Sequence, residues 1–131
     1  MVSILVSLMN EAKKLRVVVA DDEELVRRSI RQTLESKGHE VLEFASGREL
    51  LESDCATADL VIMDVVMPDG DGIETLTELR RSRPSLPVIA ISGVGAARAY
   101  LDVMEALGAT SLEKPFASRQ LLDAVEASLG N

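Results

Sequence analysis

The sequence predicts an α/β fold, a doubly wound five-stranded parallel sheet of (βα)5 connectivity. Three observations carry this. Short runs of aliphatic, largely β-branched residues occur five times, each is followed by a segment with helical apolar spacing, and the connections are only a few residues long. Strands that read as unbroken apolar runs are buried on both faces, which requires helices above and below the sheet. Right-handed crossovers then bring the carboxyl ends of the strands to one edge.

LRVVVA (residues 15–20) is the first buried strand. Residues 21–38 follow with Leu25, Val26, Ile30 and Leu34 on one helical face and Gly38 as the stop. HEVLEFA (39–45) reads as the second strand and GRELLESD (47–54) as a short helix. DLVIMD (59–64) is the third strand, followed by a polar turn around Met67, Pro68, Asp69 and Gly70. A helix carrying Ile73, Leu76 and Leu79 comes next and ends before Pro84. PVIAIS (87–92) is the fourth strand, and Gly93 and Gly95 mark the loop behind it. Tyr100, Val103, Met104 and Leu107 form an i, i+3, i+4, i+7 stripe closed by Gly108. TSLEK (110–114) supplies the fifth strand, and Leu121, Leu122, Val125 and Leu129 line the last helix. Residues 1–14 are expected to be an N-terminal extension and 15–131 the folded domain.

Composition narrows the function. Fourteen basic against 22 acidic residues give a formal charge of −8, which repels phosphate backbones, and two Phe, one Tyr and no Trp leave little for stacking on bases. A lone cysteine, Cys55, excludes an intrachain disulfide and a cysteine-rich zinc site, as suits a reducing compartment. A lone histidine, His39, makes a Ser-His-Asp or Cys-His enzyme hard to build and is expected to be a solvated turn residue behind Gly38. The apolar stretch at residues 2–9 is far short of the roughly 20 residues of a spanning helix, and it lacks the basic flank and cleavage site of a secretory signal. Met9 offers an alternative start, and the stretch is expected to be dispensable for the domain's chemistry.

Ligands of open α/β sheets bind beyond the carboxyl ends of the strands. Those ends carry Asp21 and Asp22, Asp64, Ser92 and Lys114. Taken singly, each has an ordinary explanation: Asp heads helices, Asp64 opens a turn, Ser92 precedes a glycine, and Lys114 precedes Pro115. Taken together, three carboxylates, a hydroxyl and an ammonium on one sheet edge are not explained that way. Carboxylates in close quarters either bind protons or hold a cation, and a hard dication such as magnesium suits oxygen ligands.

The runs VVVADDEELVRR, LVIMDVVMPDGDG, AISG and LEKPF, in that order, resemble the receiver domain of bacterial two-component response regulators, over about residues 15–129. The resemblance implies the flavodoxin-like receiver fold and a phosphoacceptor role for Asp64, with Ser92 and Lys114 contacting the phosphoryl group. It implies Mg2+ held by Asp22, Asp64 and the backbone carbonyl of Val66, with Asp21 assisting through water. It further implies a cytoplasmic phosphoprotein that catalyses only its own phosphorylation and dephosphorylation. A histidine kinase or histidine phosphotransfer protein would serve as its phosphodonor, and residues 97–129 would form its switch surface. No DNA-binding or enzymatic output segment follows, so output by protein–protein contact is expected, with no direct DNA or membrane binding. Two departures stand out. Ser111 occupies the position where the family usually has an aromatic reporter three residues before the lysine, so coupling is expected to use a loop or helix shift. Val66 and Val94 are apolar where the family tunes water access, which implies slow hydrolysis. A haloacid-dehalogenase-type phosphatase would want a second Asp where Val66 stands, and a degenerate, purely protein-binding receiver would not keep this residue set. A calcium loop starting at Asp69 fails, because Glu74 and Arg80 stand where its Gly and Glu belong.

Overall fold

The computed structural model describes residues 14–53, 55–67, 70–93 and 98–130. Five parallel strands, β1 (Arg16–Ala20), β2 (Glu40–Phe44), β3 (Leu60–Asp64), β4 (Val88–Ser92) and β5 (Thr110–Glu113), form one sheet in the order β2-β1-β3-β4-β5. Five helices connect or follow them: α1 (Glu24–Glu35), α2 (Gly47–Glu52), α3 (Gly72–Ser82), α4 (Arg98–Ala106) and α5 (Ser118–Leu129). The predicted doubly wound (βα)5 fold is the observed one.

Strand alternation sorts the core into two layers. Val17 and Val19 of β1 point to one face with Leu60, Ile62, Ile89 and Ile91, where Ile30 and Leu34 of α1 and Leu121 and Val125 of α5 cover them. Val18 and Ala20 point to the other with Val61, Met63, Val88 and Ala90, beneath Leu50 of α2, Leu76 and Leu79 of α3 and Met104 of α4. Every residue of β3 and β4 is buried, which accounts for their unbroken apolar sequences. Gly38 and Gly108 follow α1 and α4 with φ of 88° and 89°, the left-handed conformation that lets a helix stop abruptly. No helix of the described residues is long and apolar enough to cross a membrane. Residues 1–13 and Val94, Gly95 and Ala97 lie outside the described residues.

Several expectations need correction. Leu25 is not on the buried face of α1 but 77% exposed. The face is built at i, i+4 spacing from Val26, Ile30 and Leu34, and Leu25 stands one helical step, about 100°, away from it. The core side of α4 is Leu101 and Met104, which turns Tyr100 and Val103 outward. Leu129, in the last turn of α5, is also exposed. The turn after β3 contains a short antiparallel pairing of Val66–Met67 with Gly70–Asp71 that the sequence pattern did not announce.

His39 is not merely a solvated turn residue. Its Nδ1 accepts a hydrogen bond from the backbone N–H of Leu15 at 3.1 Å, closing the gap between the α1–β2 turn and the start of β1. The ring is half-buried, and burial lowers its pKa. The neutral ring is therefore favoured in the fold, while the unfolded chain takes up the proton first. Stability is complete above the unfolded value and falls as pH drops through the folded one. His39→Ala is expected to cost about 0.5–1.5 kcal/mol near pH 7.5, the range for one lost hydrogen bond, and much less at pH 5. Urea unfolding at the two pH values measures this; an equal loss at both would contradict it.

Candidate functional site

The sheet delivers the predicted polar residues to one edge. Asp21 directly follows β1, Asp64 ends β3, Ser92 ends β4, and Lys114 directly follows β5. Parallel registers pair Ala20 with Met63, Asp64 with Ile91, and Ser92 with Glu113, so the four ends are level. Backbone bonds extend the ladder past the strands: Asp21 N–H donates to the Phe44 carbonyl at 3.1 Å, and Lys114 N–H donates to the Ser92 carbonyl at 2.7 Å. The Lys114–Pro115 peptide is cis. Asp21, Asp64 and Ser92 are buried, and Asp22 is exposed at the mouth of the crevice.

Carboxylate oxygens of Asp21, Asp22 and Asp64 all lie within 4.8 Å of one another. Lys114 Nζ donates to Asp64 Oδ2 at 2.9 Å and to Glu23 Oε1 at 2.8 Å, and it faces Asp21 Oδ2 at 3.2 Å. The last approach is an ion pair without hydrogen-bond geometry, so Asp21 Oδ2 is buried with no hydrogen-bond partner. Burial raises the Asp21 pKa and the nearby Asp64 charge adds to it, while the backbone N–H of Glu23 and the Lys114 ammonium oppose it without cancelling it. Burial disfavours the Lys114 ammonium, but its bonds to Glu23 and Asp64 and the charge of Asp21 outweigh that and raise its pKa. The cluster is thus short of positive charge. A hard dication with oxygen ligands fits both the carboxylate set and the buried oxygen that lacks a hydrogen bond.

The surrounding backbone is shaped for this cluster. Asp21 Oδ1 accepts from the Glu23 N–H at 2.8 Å, and Asp64 Oδ1 accepts from the Val66 N–H at 3.1 Å. Arg27 Nη1 donates to the Asp21 carbonyl at 2.6 Å while its Nε pairs with Glu43 at 3.2 Å, bracing the acidic turn against β2. Gly72 opens α3 against the Asp64 turn. A Cβ there would stand 2.9 Å from the Asp64 and Val65 carbonyl oxygens, so only glycine lets the helix start so close. The Val66 side chain is exposed beside Asp64. Ser111 donates to Glu105 Oε2 at 3.1 Å, and Arg98 holds the other oxygen of Glu105 at 2.8 Å, so a polar link joins β5 to α4 at the usual aromatic position. Glu23 and Arg27 were not singled out in the sequence. The acid next to Asp22 was visible there; its reach to a lysine 91 residues away was not.

The family model for the response regulator receiver domain matches residues 17–126. The chain belongs to the response regulator receiver domain family. It is 36% identical over 115 residues to the C4-dicarboxylate transport transcriptional regulatory protein DctD of Pseudomonas aeruginosa, covering 87% of this chain and 25% of that protein. Nodulation protein W of Bradyrhizobium diazoefficiens is 35% identical, over 88% of this chain and 51% of its own length. The chain therefore spans a quarter to about half of these curated relatives. A CheY-like response regulator receiver domain protein from Methanospirillum hungatei superposes with a TM-score of 0.82 at 28% identity, over 90% of this chain and 95% of that one. The acidic cluster of this receiver domain is consistent with the family's phosphorylation and Mg2+ site.

Proposed function

We propose that Asp64 of this receiver domain accepts a phosphoryl group from a histidine kinase or histidine phosphotransfer protein. The observation that carries the assignment is the meeting of Asp21, Asp22 and Asp64 with Lys114 at one sheet edge, with one buried carboxylate oxygen left without a hydrogen bond. Asp22, Asp64 and the Val66 carbonyl would hold Mg2+, with Asp21 assisting through water; when bound, the ion neutralises charge on the carboxylates and the transferring group. A carboxylate oxygen of Asp64 attacks phosphorus, the bond from phosphorus to the donor's imidazole nitrogen breaks, and that nitrogen keeps the electron pair. The product is an aspartyl phosphate. Lys114 pairs with the phosphoryl oxygens, and Ser92 donates a hydrogen bond to one of them. Little covalent machinery is needed, because phosphoryl transfer depends mainly on positioning and charge stabilisation.

The added charge, about −2 at neutral pH, pulls Ser92 and the following loop toward Asp64 and biases the surface of α4, β5 and α5. With Ser111 bonded to Glu105, the signal travels through a shift of α4 rather than through a ring rotation. Val66, exposed beside Asp64, makes the phosphorylated form long-lived, because an apolar side chain neither orients nor activates water. Output is docking of a target protein in the cytoplasm, and the formal charge of −8 disfavours contact of this domain itself with a phosphate backbone.

Incubation with a small-molecule phosphodonor and Mg2+, read by intact mass, tests the proposal. One added phosphoryl group is expected on the wild type and none on Asp64→Asn. Equal labelling of the variant, or labelling that persists in excess chelator, would refute it.

A further inference from the structure

We propose that Glu23 is a displaceable latch on Lys114, occupying the lysine until the phosphoryl group claims it. This deepens the phosphoacceptor reading of Asp64 and rests on it. An ammonium has three N–H donors and no acceptor. The Lys114 ammonium lies within 3.2 Å of three carboxylates, those of Glu23, Asp64 and Asp21. Two of its donors are given to Glu23 and Asp64, and Asp21 crowds its third side at 3.2 Å without hydrogen-bond geometry, so a phosphoryl group gains the full ammonium only when one carboxylate gives way.

The three are not equally free to leave. Asp21 is fully buried, and its other oxygen is fixed by the Glu23 N–H. Asp64 is buried, carries the bond being made, and is held by the Val66 N–H through its second oxygen. Glu23 has 59% of its side chain in solvent and stands at the N-cap of α1, outside the sheet edge. Release of its carboxylate to water leaves no buried charge behind, whereas release of Asp21 would. Glu23 also lies outside the group of carboxylates close enough to share one cation. Its action on the site passes through Lys114, which makes it a positioning residue.

Competition has a defined sign. Removing the Glu23 charge frees Lys114 and strengthens capture of a phosphoryl group at Asp64. The test uses beryllofluoride, a non-covalent phosphoryl mimic, titrated with Mg2+ into the full chain and followed by 19F NMR. Glu23→Gln is expected to bind the mimic about three- to fivefold more tightly than wild type, the scale of one exposed ion pair. Glu24→Gln, which removes a charge one residue on that pairs with Arg28 instead, is expected to change it by less than half as much. In a Lys114→Met background, Glu23→Gln is expected to have no effect, which separates a latch from general repulsion between Glu23 and the anion. Unchanged or weaker binding by Glu23→Gln, or the same gain with and without Lys114, would overturn the latch. Failure of the wild type itself to bind the mimic would instead overturn the phosphoacceptor assignment.

Discussion

Lys114→Met is expected to slow phosphoryl acceptance at Asp64 by about 10²–10³-fold, the scale of removing one preorganised donor from developing negative charge. The ammonium is 2.9 Å from Asp64 Oδ2 and only 16% exposed, so neither water nor another cation of the described residues replaces it. Two effects act in the same direction. The transferring group loses its protein counter-charge, and Asp21 and Asp64 lose the cation that offsets their mutual repulsion. Lys114→Arg is expected to recover only a small part of the rate, because a planar guanidinium does not fit where a compact ammonium reaches three carboxylates. Time courses of intact mass under saturating Mg2+ measure both variants. A Lys114→Met rate within a few fold of wild type would contradict this role.

Asp21→Asn is expected to stabilise the metal-free domain by about 0.5–2 kcal/mol, as when a strained functional group is neutralised. Asp21 is fully buried, has one oxygen without a hydrogen bond, and faces Asp64. Burial holds its pKa above the unfolded value of about 4. The folded form therefore binds the proton more readily, so stability is highest below the unfolded value and is lost as pH rises through the folded one. The gain from Asn is consequently largest near neutral pH and shrinks in acid. In a domain of this size, each kcal/mol corresponds to a melting shift of about 4 °C. The same variant is expected to lose most of the melting increase that Mg2+ gives the wild type, since binding to the folded state is what produces it. A lower melting temperature for metal-free Asp21→Asn, or full protection of that variant by Mg2+, would argue against a cation-deficient cluster.

What was legible in the sequence follows from the range of each signal. β3 and β4 were plain because burial on both faces removes polar residues from the run itself, and the strand ends then put Asp64 and Ser92 in view. Helix ends were visible where a left-handed residue was required, at Gly38 and Gly108. Helix faces were less so. Leu25, Tyr100 and Val103 fit an apolar spacing, but which of two adjacent stripes meets the sheet is decided by the tilt of the helix in three dimensions. Long-range polar partners were not readable at all. His39 accepting from Leu15 and Glu23 reaching Lys114 join turns far apart in the chain, and no local pattern encodes such pairs. The close approach of α3 to the Asp64 turn left one trace in the sequence, the glycine at position 72.

Borohydride reduction of the phosphorylated protein, followed by peptide mapping, places the phosphoryl group most directly. An acyl phosphate on aspartate is reduced to homoserine, so the site is marked permanently. The account predicts homoserine at position 64 alone, dependent on both phosphodonor and Mg2+. Homoserine at Asp21 or Asp22, or a phosphoryl group that survives borohydride on a hydroxyl such as Ser92, would contradict it.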